Sequence, residues 1–596
     1  MKAQQANHAR LAMSSSDTLQ LPFFDDVSQS DHLPNPHWWE DEQKVTVRSG
    51  IDINSPSYQV MVFDGVDASG VPYNTNGIAY GPTDALTSKA IDLSQVLPAD
   101  STYLTFFLQP KGLANAPNGR DRLIISFLEK EGTYDDIWEI DGSDPRLSTQ
   151  QFRMFAVKVD TAFLHEGFRF KIQAYGNQSG AFDNWLLNYV HLDQRRFLEN
   201  PENPTVNDQA YVDRTLTKKP SSPFTPYTMI PMKQFKTDPD TFIQGSKVQA
   251  YNHNNQTQLV SYTFEVIDTI ANQVIEQTNL NTSLGLINGF TFKDFESTTL
   301  DPDKLLAYNS DSLYLAMKCE ISSNDTLLVR YQDAFGRNVY ADSIDLKMND
   351  TTVSYTVIDN ILAYDDGEAE YAAGIAQQQG QLAYKFNVPT NDVLTAVQIN
   401  WRSEGFAQGG QPITLKIWRD LNDDPIVTRT VTTTPGTLEQ PFTTYNVGSV
   451  AVNGDIYVGY QQSSNDRIPV GLDKNHDAGD QMYFNTNGEW VQNQDVEGAL
   501  MIRLQFLKSN QVPPLDNELP QIHHSFYPNP NIGKVYIDAE LEGIQLFDVS
   551  GHRIQFDQHY DGHRTEIIFD NTTPGLYLIK YKLHGQWMTD KLIIHR

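Results

Sequence analysis

Cysteine is almost absent from this sequence, since Cys319 is the only cysteine among 596 residues. A chain with one cysteine cannot form an internal disulfide, so its domains must be stable through packing and hydrogen bonding alone. Long apolar runs are missing as well. The longest ones, such as residues 103–108, are far shorter than the ~18 apolar residues of a membrane-spanning helix. We therefore predict no membrane span.

Basic residues are scarce relative to acidic ones. The chain has 44 Lys and Arg against 75 Asp and Glu, which gives a formal net charge of -31. A chain this acidic repels phosphate backbones and anionic lipid surfaces, so nucleic acid is not an expected partner. The local signatures of a nucleophile elbow and of a Gly-rich phosphate-binding loop are also missing from the sequence. No enzyme class that is defined by such a motif is therefore indicated.

The residues that are present favour β-structure. Aromatic residues make up 11% of the chain, and 36 Gly and 30 Pro supply turns. At ~150 residues per domain, the length corresponds to about four domains. Strand-like runs alternate with turn signals, and no amphipathic helical pattern lies between them. We predict an all-β, multidomain chain of β-sandwiches, two of them jelly-roll-like and one Ig-like, with a further Ig-like domain at the C-terminus.

Shifts in composition set the predicted domain boundaries. The first residues are polar, and proline clusters with polar residues in two later segments, where it stiffens an extended chain. The predicted order is a disordered tail at 1–20, a jelly-roll-like sandwich at 21–196, a Pro-rich linker at 197–226, an Ig-like sandwich at 227–350, a second jelly-roll-like sandwich at 360–507, a linker at 508–522 and a terminal domain at 523–596.

The terminal domain carries four short motifs in order. They are Tyr-Pro-Asn-Pro at 527–530, Phe-Asp-Val-Ser-Gly at 547–551, Pro-Gly-Leu-Tyr at 574–577 and Lys-Leu-Ile-Ile at 591–594. Between the last two motifs, Tyr577, Ile579 and Tyr581 fall on one face of a predicted strand. Four or more short strands without a helical pattern predict a small antiparallel sandwich.

These motifs resemble the type A C-terminal sorting domain of the bacterial type IX secretion system. The resemblance implies an Ig-like domain that directs a periplasmic intermediate through the outer membrane and is often removed when the cargo is attached to the cell surface. The residues that it assigns to the sorting signal are Pro528, Asn529, Pro530, Gly533, Asp548, Gly551, Pro574, Gly575, Tyr577, Lys591 and Leu592.

The same resemblance implies a partner and a location. The partner is the type IX outer-membrane translocon, and the location is secreted or attached to the cell surface. Export also requires a signal peptide, yet residues 1–21 contain no apolar core of about 7–15 residues. Either that signal has been removed from this sequence or the interpretation of the C-terminal domain fails.

A second resemblance concerns the predicted sandwich at 21–196. Its Phe63-Asp64-Gly65 turn and its closing run at 182–190 are similar to the amino-terminal jelly-roll module of large surface proteins from the same bacteria. That module is broadly similar to MAM-type and carbohydrate-binding sandwiches. The resemblance rests on pattern more than on a fixed motif.

Two acidic segments are candidates for structural calcium. A hard cation takes six to eight oxygen ligands, and an EF-hand loop needs Gly at its sixth position and Glu at its twelfth. Counted from Asp473, Gly479 is seventh and Phe484 is twelfth, so this loop is not an EF-hand. Jelly rolls also bind calcium through irregular loops, and the alternative is a pair of solvated turns. The predicted ligands are Asp365, Asp366, Glu368, Glu370, Asp473, Asn475 and Asp477.

Carboxylates near residue 140 raise the alternative of a glycosidase. Glu139 and Asp141 share one face of a predicted strand, and retaining glycosidases need two carboxyls about 5–5.5 Å apart. Gly142 and Pro145 break the strand before Asp144 can align with them. A strand end followed by a turn is therefore the favoured interpretation.

Tryptophans supply the last functional hint. An aromatic ring can stack on a sugar ring, and it can equally pack in a core. The candidates are Trp38, Trp39, Trp185, Trp401, Trp418 and Trp490. We predict that the part of the chain before the terminal domain is a non-enzymatic adhesion or carbohydrate-binding surface protein that contacts polysaccharide or another envelope component. The alternative is an extracellular, glycosidase-like hydrolase on a jelly-roll domain.

Overall fold

Short β-strands joined by turns form nearly all of the regular structure of this protein. The computed structural model describes residues 18–40, 44–198, 200–205, 208, 211–308, 311–333, 335–402, 409–437, 440–508, 526, 531, 533–537, 539, 541–548, 552–560, 564–569, 573–583 and 586–594. The predicted all-β, multidomain fold is confirmed. Most of the predicted N-terminal tail and of the linker at 508–522 lies outside the described residues.

The N-terminal sandwich contains two sheets. Its strands are β1 (Phe23–Asp25), β2 (Thr46–Arg48), β3 (Val60–Phe63), β4 (Tyr80–Thr87), β5 (Tyr103–Pro110), β6 (Arg122–Leu128), β7 (Tyr134–Asp141), β8 (Arg153–Lys158), β9 (Phe170–Asn177) and β10 (Trp185–Asp193). One sheet has the order β2-β3-β10-β5-β8 with β1 also paired to β10, and the other has the order β4-β9-β6-β7. In β9, Phe170, Ile172 and Ala174 are buried and the residues between them are half-buried, because alternate strand side chains face opposite sides of the sheet.

Residues 197–226 differ from the predicted spacer. They include strand β11 (Arg214–Leu216), which pairs antiparallel with residues 250–252, and residues 213–217 are buried. Prolines lie before and after this strand rather than within it, so its ladder hydrogen bonds are kept. The segment is therefore a part of the fold and not only a connection.

A middle group of strands follows. The strands are β12 (Ile230–Pro231), β13 (Lys247–Asn252), β14 (Gln258–Asp268), β15 (Gln273–Ile287), β16 (Phe292–Glu296), β17 (Leu313–Ser322), β18 (Leu327–Gln332), β19 (Asn338–Asp345) and β20 (Thr351–Asp359), with helices α1 (Met232–Phe235) and α2 (Pro302–Leu306). They form sheets of order β11-β13-β16, β12-β20-β17-β14-β15 and β18-β19.

The third group is a sandwich of one large and one small sheet. Its strands are β21 (Ile361–Leu362), β22 (Tyr371–Ala373), β23 (Gln381–Ile399), β24 (Pro412–Trp418), β25 (Val427–Thr432), β26 (Thr443–Gln462), β27 (Val470–Asp473), β28 (Met482–Asn485), β29 (Val491–Gln492), β30 (Ala499–Leu500) and β31 (Ile502–Phe506). The large sheet has the order β21-β31-β23-β26-β24-β25, with β28 also paired to β23 and β29 to β28, and the small one has the order β22-β27-β30.

The middle and third groups share one hydrophobic core, which runs from Leu216 to Phe506. Tyr227 shows the contact directly, because its ring lies 4.6 Å from that of Tyr364 and its hydroxyl donates to the carbonyl of Asn387 at 3.0 Å. The chain up to residue 513 forms one compact unit. The predicted boundaries inside this unit stay a prediction.

The C-terminal unit, residues 514–596, is a small sandwich with its own core. Its strands are β32 (Lys534–Ile537), β33 (Glu542–Asp548), β34 (Arg553–Ile554), β35 (Asp557–Tyr560), β36 (Thr565–Ile568), β37 (Gly575–Leu583) and β38 (Gln586–Ile594). They form sheets of order β32-β36-β35 and β34-β33-β37-β38. Among the residues that the structure describes, no helix is long and apolar enough to cross a bilayer.

Candidate functional site

The last two strands bring the end of the chain into the core of the C-terminal unit. Strands β37 and β38 pair antiparallel along their whole length, with Tyr577 opposite Leu592. Tyr577, Ile579 and Tyr581 are buried, as their alternation in the sequence predicts. On β38, Leu592 is 0% exposed while the neighbouring Ile593 is 46% exposed. Each residue of the final motif therefore has a fixed side, either core or surface.

The turn residues of the predicted sorting signal hold these strands in place. Gly533 has a φ of +104°, a value that favours glycine. Asp548, at the end of β33, accepts a hydrogen bond at 2.9 Å from the backbone N–H of His552, the residue before β34. The Tyr577 hydroxyl donates to the carbonyl of Thr573 at 2.8 Å, across the Pro574-Gly575 step. Lys591 is exposed on β38. The remaining signal residues lie outside the described residues: Pro528, Asn529, Pro530 and Gly551.

The two acidic segments predicted to bind calcium meet at one place, which we call the acidic junction (residues 365–370 and 473–477). The backbone N–H of Asp366 donates to Asp473 Oδ2 at 2.9 Å, and the N–H of Lys474 donates to Glu370 Oε2 at 2.8 Å. The N-terminal sandwich reaches the same place, because the Ser49 hydroxyl lies 3.5 Å from Glu368 Oε2. The sequence identified both segments but not their contact.

Cationic side chains balance the charge of the acidic junction. Arg503 donates to both oxygens of Asp365, at 2.5 and 3.1 Å, and both side chains are buried. Lys219 lies 3.1 Å from Glu368 and 3.6 Å from Asp366. Burial by itself would raise the pKa of Asp366, but Lys219 and His476 outweigh burial and lower that pKa.

Glu370 and His476 have shifted pKa values. Burial and the charges of Asp473 and Asp366 raise the pKa of Glu370 to about 8. Burial opposes the charged form of His476, but the hydrogen bond and charge of Asp473 outweigh it and raise the pKa of the imidazole. The His476 Nδ1 to Asp473 Oδ2 distance is 2.9 Å.

Three of these side chains could share a metal ion. One ligand atom from each of Asp366, Asp473 and His476 lies within 4.8 Å of the others. However, Asp473 already accepts hydrogen bonds from three backbone N–H groups and from His476. Asn475 and Asp477 are exposed, and Asp477 accepts from the N–H groups of residues 479 and 498. Calcium at the acidic junction stays a prediction.

The carboxylates considered for glycosidase chemistry each have a local partner. Glu139 pairs with Arg122 at 3.2 Å. Asp141 accepts from the N–H and hydroxyl of Ser143 at 2.8 and 2.5 Å. Asp144 accepts from the guanidinium of Arg146, with a shortest distance of 2.8 Å, and this bond lowers the pKa of Asp144. These carboxylates form the end of β7 and its following turn.

The tryptophans divide between core and surface. Trp39, Trp185 and Trp401 are buried in the cores, and the ring of Trp38 packs on Phe23 with centroids 4.9 Å apart. Trp418 is also buried, but it does not belong to those cores. Its ring packs against that of the half-buried Trp490, with centroids 5.4 Å apart.

Trp418 belongs to an outward surface of the large sheet of the third sandwich. On strands β23, β24 and β26, Tyr384, Ile417 and Val458 point into the core, so the residues next to them point outward. In the strand register, Trp418 lies opposite Tyr457, and Tyr457 lies opposite Lys385. Tyr483 lies opposite Ala383, which is two residues before Lys385 and therefore on the same face. We call this surface the aromatic face. Its residues are Lys385, Lys416, Trp418, Tyr457, Tyr483 and Trp490.

Polar groups lie at the edges of the rings on the aromatic face. The Tyr457 and Tyr483 rings are 5.4 Å apart. The Lys416 ammonium is 6.0 Å from the Trp418 ring, and it donates to Gln381 Oε1 at 3.0 Å. Lys385 pairs with Asp455 at 2.7 Å. Such a face combines flat apolar area with hydrogen-bonding groups.

Sequence reasoning missed most of the aromatic face. It identified Trp418 and Trp490, but not Lys385, Lys416, Tyr457 or Tyr483. The alternation of polar and apolar residues in 381–388 and 413–418 is the signal that could have placed Lys385 and Trp418 on the outer side. Sequence reasoning also missed three side chains at the acidic junction. Lys219 and Arg503 reach it only through tertiary contacts, whereas His476 lies within the segment 473–477 and contacts Asp473 three residues earlier.

The Phe63-Asp64-Gly65 turn contains a buried carboxylate pair. Asp84 Oδ2 accepts from the N–H of Asp64 at 2.8 Å, and Asp84 Oδ1 accepts from the Tyr73 hydroxyl at 2.6 Å. The two side chains are buried. Burial raises the pKa of Asp64 to about 7, and burial together with the charge of Asp64 raises that of Asp84 well above its ordinary value.

We expect Asp84→Asn to stabilise the protein at alkaline pH and to have little effect at acidic pH. Raised folded-state pKa values favour folding below about pH 4, and this contribution is lost as the pH rises through the folded pKa, about 7 for Asp64. An amide keeps an acceptor for the N–H of Asp64 but carries no charge. The expected gain near pH 8 is on the order of 1–2 kcal/mol, measured by thermal unfolding at several pH values. An equal effect near pH 4 and pH 8 would contradict the assigned repulsion.

Comparison with known proteins identifies the C-terminal unit. Residues 525–595 match the family described as "Secretion system C-terminal sorting domain". No curated protein matches the sequence. Among solved structures, the chain is similar at 9% identity to "Biofilm associated protein - BSP domain", with 92% of this chain and 97% of that chain covered and a TM-score of 0.18.

A glycosidase is also among the similar structures. At 10% identity the match to "The structure of a beta-glucuronidase from glycoside hydrolase family 2" covers 59% of this chain and 34% of that chain, with a TM-score of 0.20. The chain thus spans about a third of the length of that enzyme. TM-scores this low support no argument about fold or activity. The match of residues 525–595 stands apart from them and confirms that this is a type IX secretion cargo, secreted or located at the cell surface.

Proposed function

We propose that this type IX cargo is an adhesion protein of the bacterial surface that binds polysaccharide through the aromatic face. The type IX outer-membrane translocon exports it, and the third sandwich then contacts glycan outside the cell. The observation that supports this proposal is the presence of four rings and two ammonium groups on one outward side of a single sheet.

The chemistry of sugars fits such a surface. A pyranose ring offers one apolar side of C–H groups, which packs on an aromatic ring, and a rim of hydroxyls, which needs hydrogen-bond partners. Trp490 and Tyr483 are partly exposed and can receive the apolar side. Lys385, Asp455 and Gln381 lie beside the rings and can bind hydroxyls. Because the sheet already holds the backbone of these residues in place, little of it has to become ordered when glycan binds. This lowers the entropic cost of association.

The rival function, a glycosidase-like hydrolase, has weaker support. Its best candidates, Glu139, Asp141 and Asp144, are each held by a neighbouring side chain or by their own turn. Retaining chemistry would need two of them free and about 5–5.5 Å apart. The two functions make opposite predictions for turnover, so one set of samples can distinguish them.

We expect full-length protein to bind glycans on a polysaccharide array without hydrolysing them. Replacing Trp490 or Tyr483 with alanine should weaken binding about tenfold each, which corresponds to about 1.4 kcal/mol, since each change removes a stacking ring. Isothermal titration with the best array ligand gives the dissociation constants. The same mixtures, analysed for released sugars, report turnover.

The matched control is Phe335→Ala. Phe335 is 83% exposed and lies between β18 and β19, which belong to the middle group of strands. The Phe335→Ala protein should bind glycan like the wild type. Equal binding by the Trp490→Ala and wild-type proteins would overturn the assignment to the aromatic face. Turnover that disappears in Glu139→Gln would instead favour the hydrolase.

A further inference from the structure

A second buried acidic cluster lies between the N-terminal sandwich and the middle group of strands. We call it the buried carboxylate cluster (Asp26, Asp213, Asn349 and Asp350). Asp213, Asn349 and Asp350 are 0%, 1% and 6% exposed. The Asn349 side-chain amide donates to Asp213 Oδ2 and to Asp26 Oδ2, each at 2.9 Å. The sequence does not indicate this cluster, because Asp26, Asp213 and the adjacent pair Asn349 and Asp350 are far apart along the chain.

Three oxygen atoms in this cluster have no hydrogen-bond donor among the described residues. They are the Oδ1 atoms of Asp213, Asn349 and Asp350. The other oxygens are used: Asp213 Oδ2 accepts from Asn349 and from the Tyr189 hydroxyl, and Asp350 Oδ2 accepts from Ser323 at 2.9 Å. Buried polar atoms in folded proteins are almost always paired, so three unpaired oxygens in one cluster point to a missing partner.

A cation is one partner that could serve two carboxylates and an amide oxygen at once. Arg214, the buried cation next to the cluster, pairs with Asp325 through Nη1, and its Nε has no acceptor among the described residues. Lys347, which acts on Asp350, is exposed. Asn349 connects the two carboxyls, since its amide donates to Asp213 Oδ2 at 2.9 Å and Asp350 is the next residue in the chain. The acidic junction differs in part, since Lys219, Arg503 and His476 pair with its carboxylates, although Glu370 Oε1 there also has no donor among the described residues.

We propose that Asp213, Asn349 and Asp350 bind a hard divalent cation of the calcium class through their Oδ1 atoms. Two carboxylates and an amide carbonyl are the oxygen donors that calcium prefers, and the cluster offers no sulfur or imidazole ligand among these three residues. The ion would join the residue before β11 to the turn before β20. Through Tyr189 and Asp26, it would also fix both of these to the N-terminal sandwich.

The first test compares full-length protein in chelator and in calcium chloride. We expect calcium to raise the melting temperature by several degrees and to bind tightly enough for titration calorimetry. Asp350→Asn and Asp213→Asn should each weaken calcium binding at least 100-fold. In chelator, both variants should melt at or above the wild-type temperature, because each replaces an ionisable carboxyl in a buried cluster that has no paired cation among the described residues. This second readout distinguishes loss of a ligand from failure to fold.

The matched control is Asp342→Asn, at an exposed aspartate of β19, which should keep the full calcium effect. Asp366→Asn tests the acidic junction in the same assay. If calcium leaves the wild-type melting temperature unchanged, the proposal is overturned. It is equally overturned if Asp366→Asn abolishes the effect while Asp350→Asn keeps it, since calcium would then lie at the acidic junction.

Terbium luminescence tests where in the protein the ion binds. Tb³⁺ replaces calcium in oxygen sites, and the Tyr189 hydroxyl is hydrogen-bonded to Asp213. We expect Tb³⁺ emission on excitation of tyrosine, displacement of that emission by calcium, and a loss of most of it in Tyr189→Phe. Emission that is unchanged in Tyr189→Phe and in Asp350→Asn would place the ion elsewhere and refute the proposal.

Discussion

Replacing Leu592 with aspartate is expected to leave the protein in the periplasm. Leu592 is fully buried on the closing strand β38, opposite Tyr577. A carboxylate there would have to be buried without a partner, which costs several kcal/mol in a core that contains few residues. The translocon would then meet an unfolded sorting domain, with β37 exposed as a sheet edge. Fractionation of cells that carry the type IX machinery measures the loss of surface protein, which should exceed tenfold.

Ile593→Asp is the matched control. Ile593 is the next residue on the same strand, but its side chain is 46% exposed, so an aspartate there can remain in water. Export should continue near the wild-type level. As a second arm, residues 509–596 placed after an unrelated passenger with its own signal peptide should carry that passenger to the surface. Full export of the Leu592→Asp protein would show that the fold of this domain is not what the translocon recognises.

Replacing Arg503 with alanine is expected to cost about 3–5 kcal/mol of unfolding free energy. Arg503 donates to both oxygens of Asp365, and the change leaves that fully buried carboxylate without its cation. The guanidinium also lies 3.9 Å from the centre of the Phe442 ring, a contact that is lost as well. Urea-induced unfolding, followed by tryptophan fluorescence, measures the effect.

A surface ion pair serves as the comparison. Arg122 and Glu139 are 3.2 Å apart, and both side chains are about half exposed. Glu139→Ala should cost below about 1 kcal/mol, since water already solvates both charges. If both substitutions had the same small effect, the Arg503–Asp365 pair would contribute no more than a surface contact.

Patterns within short stretches of the sequence predicted the fold class and the C-terminal domain. In 575–583, apolar residues at every second position indicate a strand with one buried face, and Tyr577, Ile579 and Tyr581 are buried. The order of the four terminal motifs indicated the sorting domain, which the match at 525–595 confirms. Such patterns can be recognised in the sequence because they depend only on residues that are close together along the chain.

The spacer predicted at 197–226 shows where composition alone is insufficient. Its prolines indicated an extended, exposed segment, yet Leu216 is fully buried and Arg214 pairs with Asn252. A short strand of three residues carries too little periodicity to be recognised in a Pro-rich stretch. Its partner strands lie elsewhere in the sequence, and their pairing decides its burial.

Local sequence patterns were sufficient to predict the all-β class, the sorting domain and the two acidic loops at 365–370 and 473–477. The packing of the sheets sets the surroundings of each charge. It brings both loops together with Lys219 and Arg503, and it places Trp418 on an outward face and Trp401 in the core. It also buries Asp213 and Asp350 with one oxygen of each unpaired among the described residues. The physical reason is that charge compensation and burial depend on distances between residues far apart in the chain, which only the folded arrangement of sheets defines.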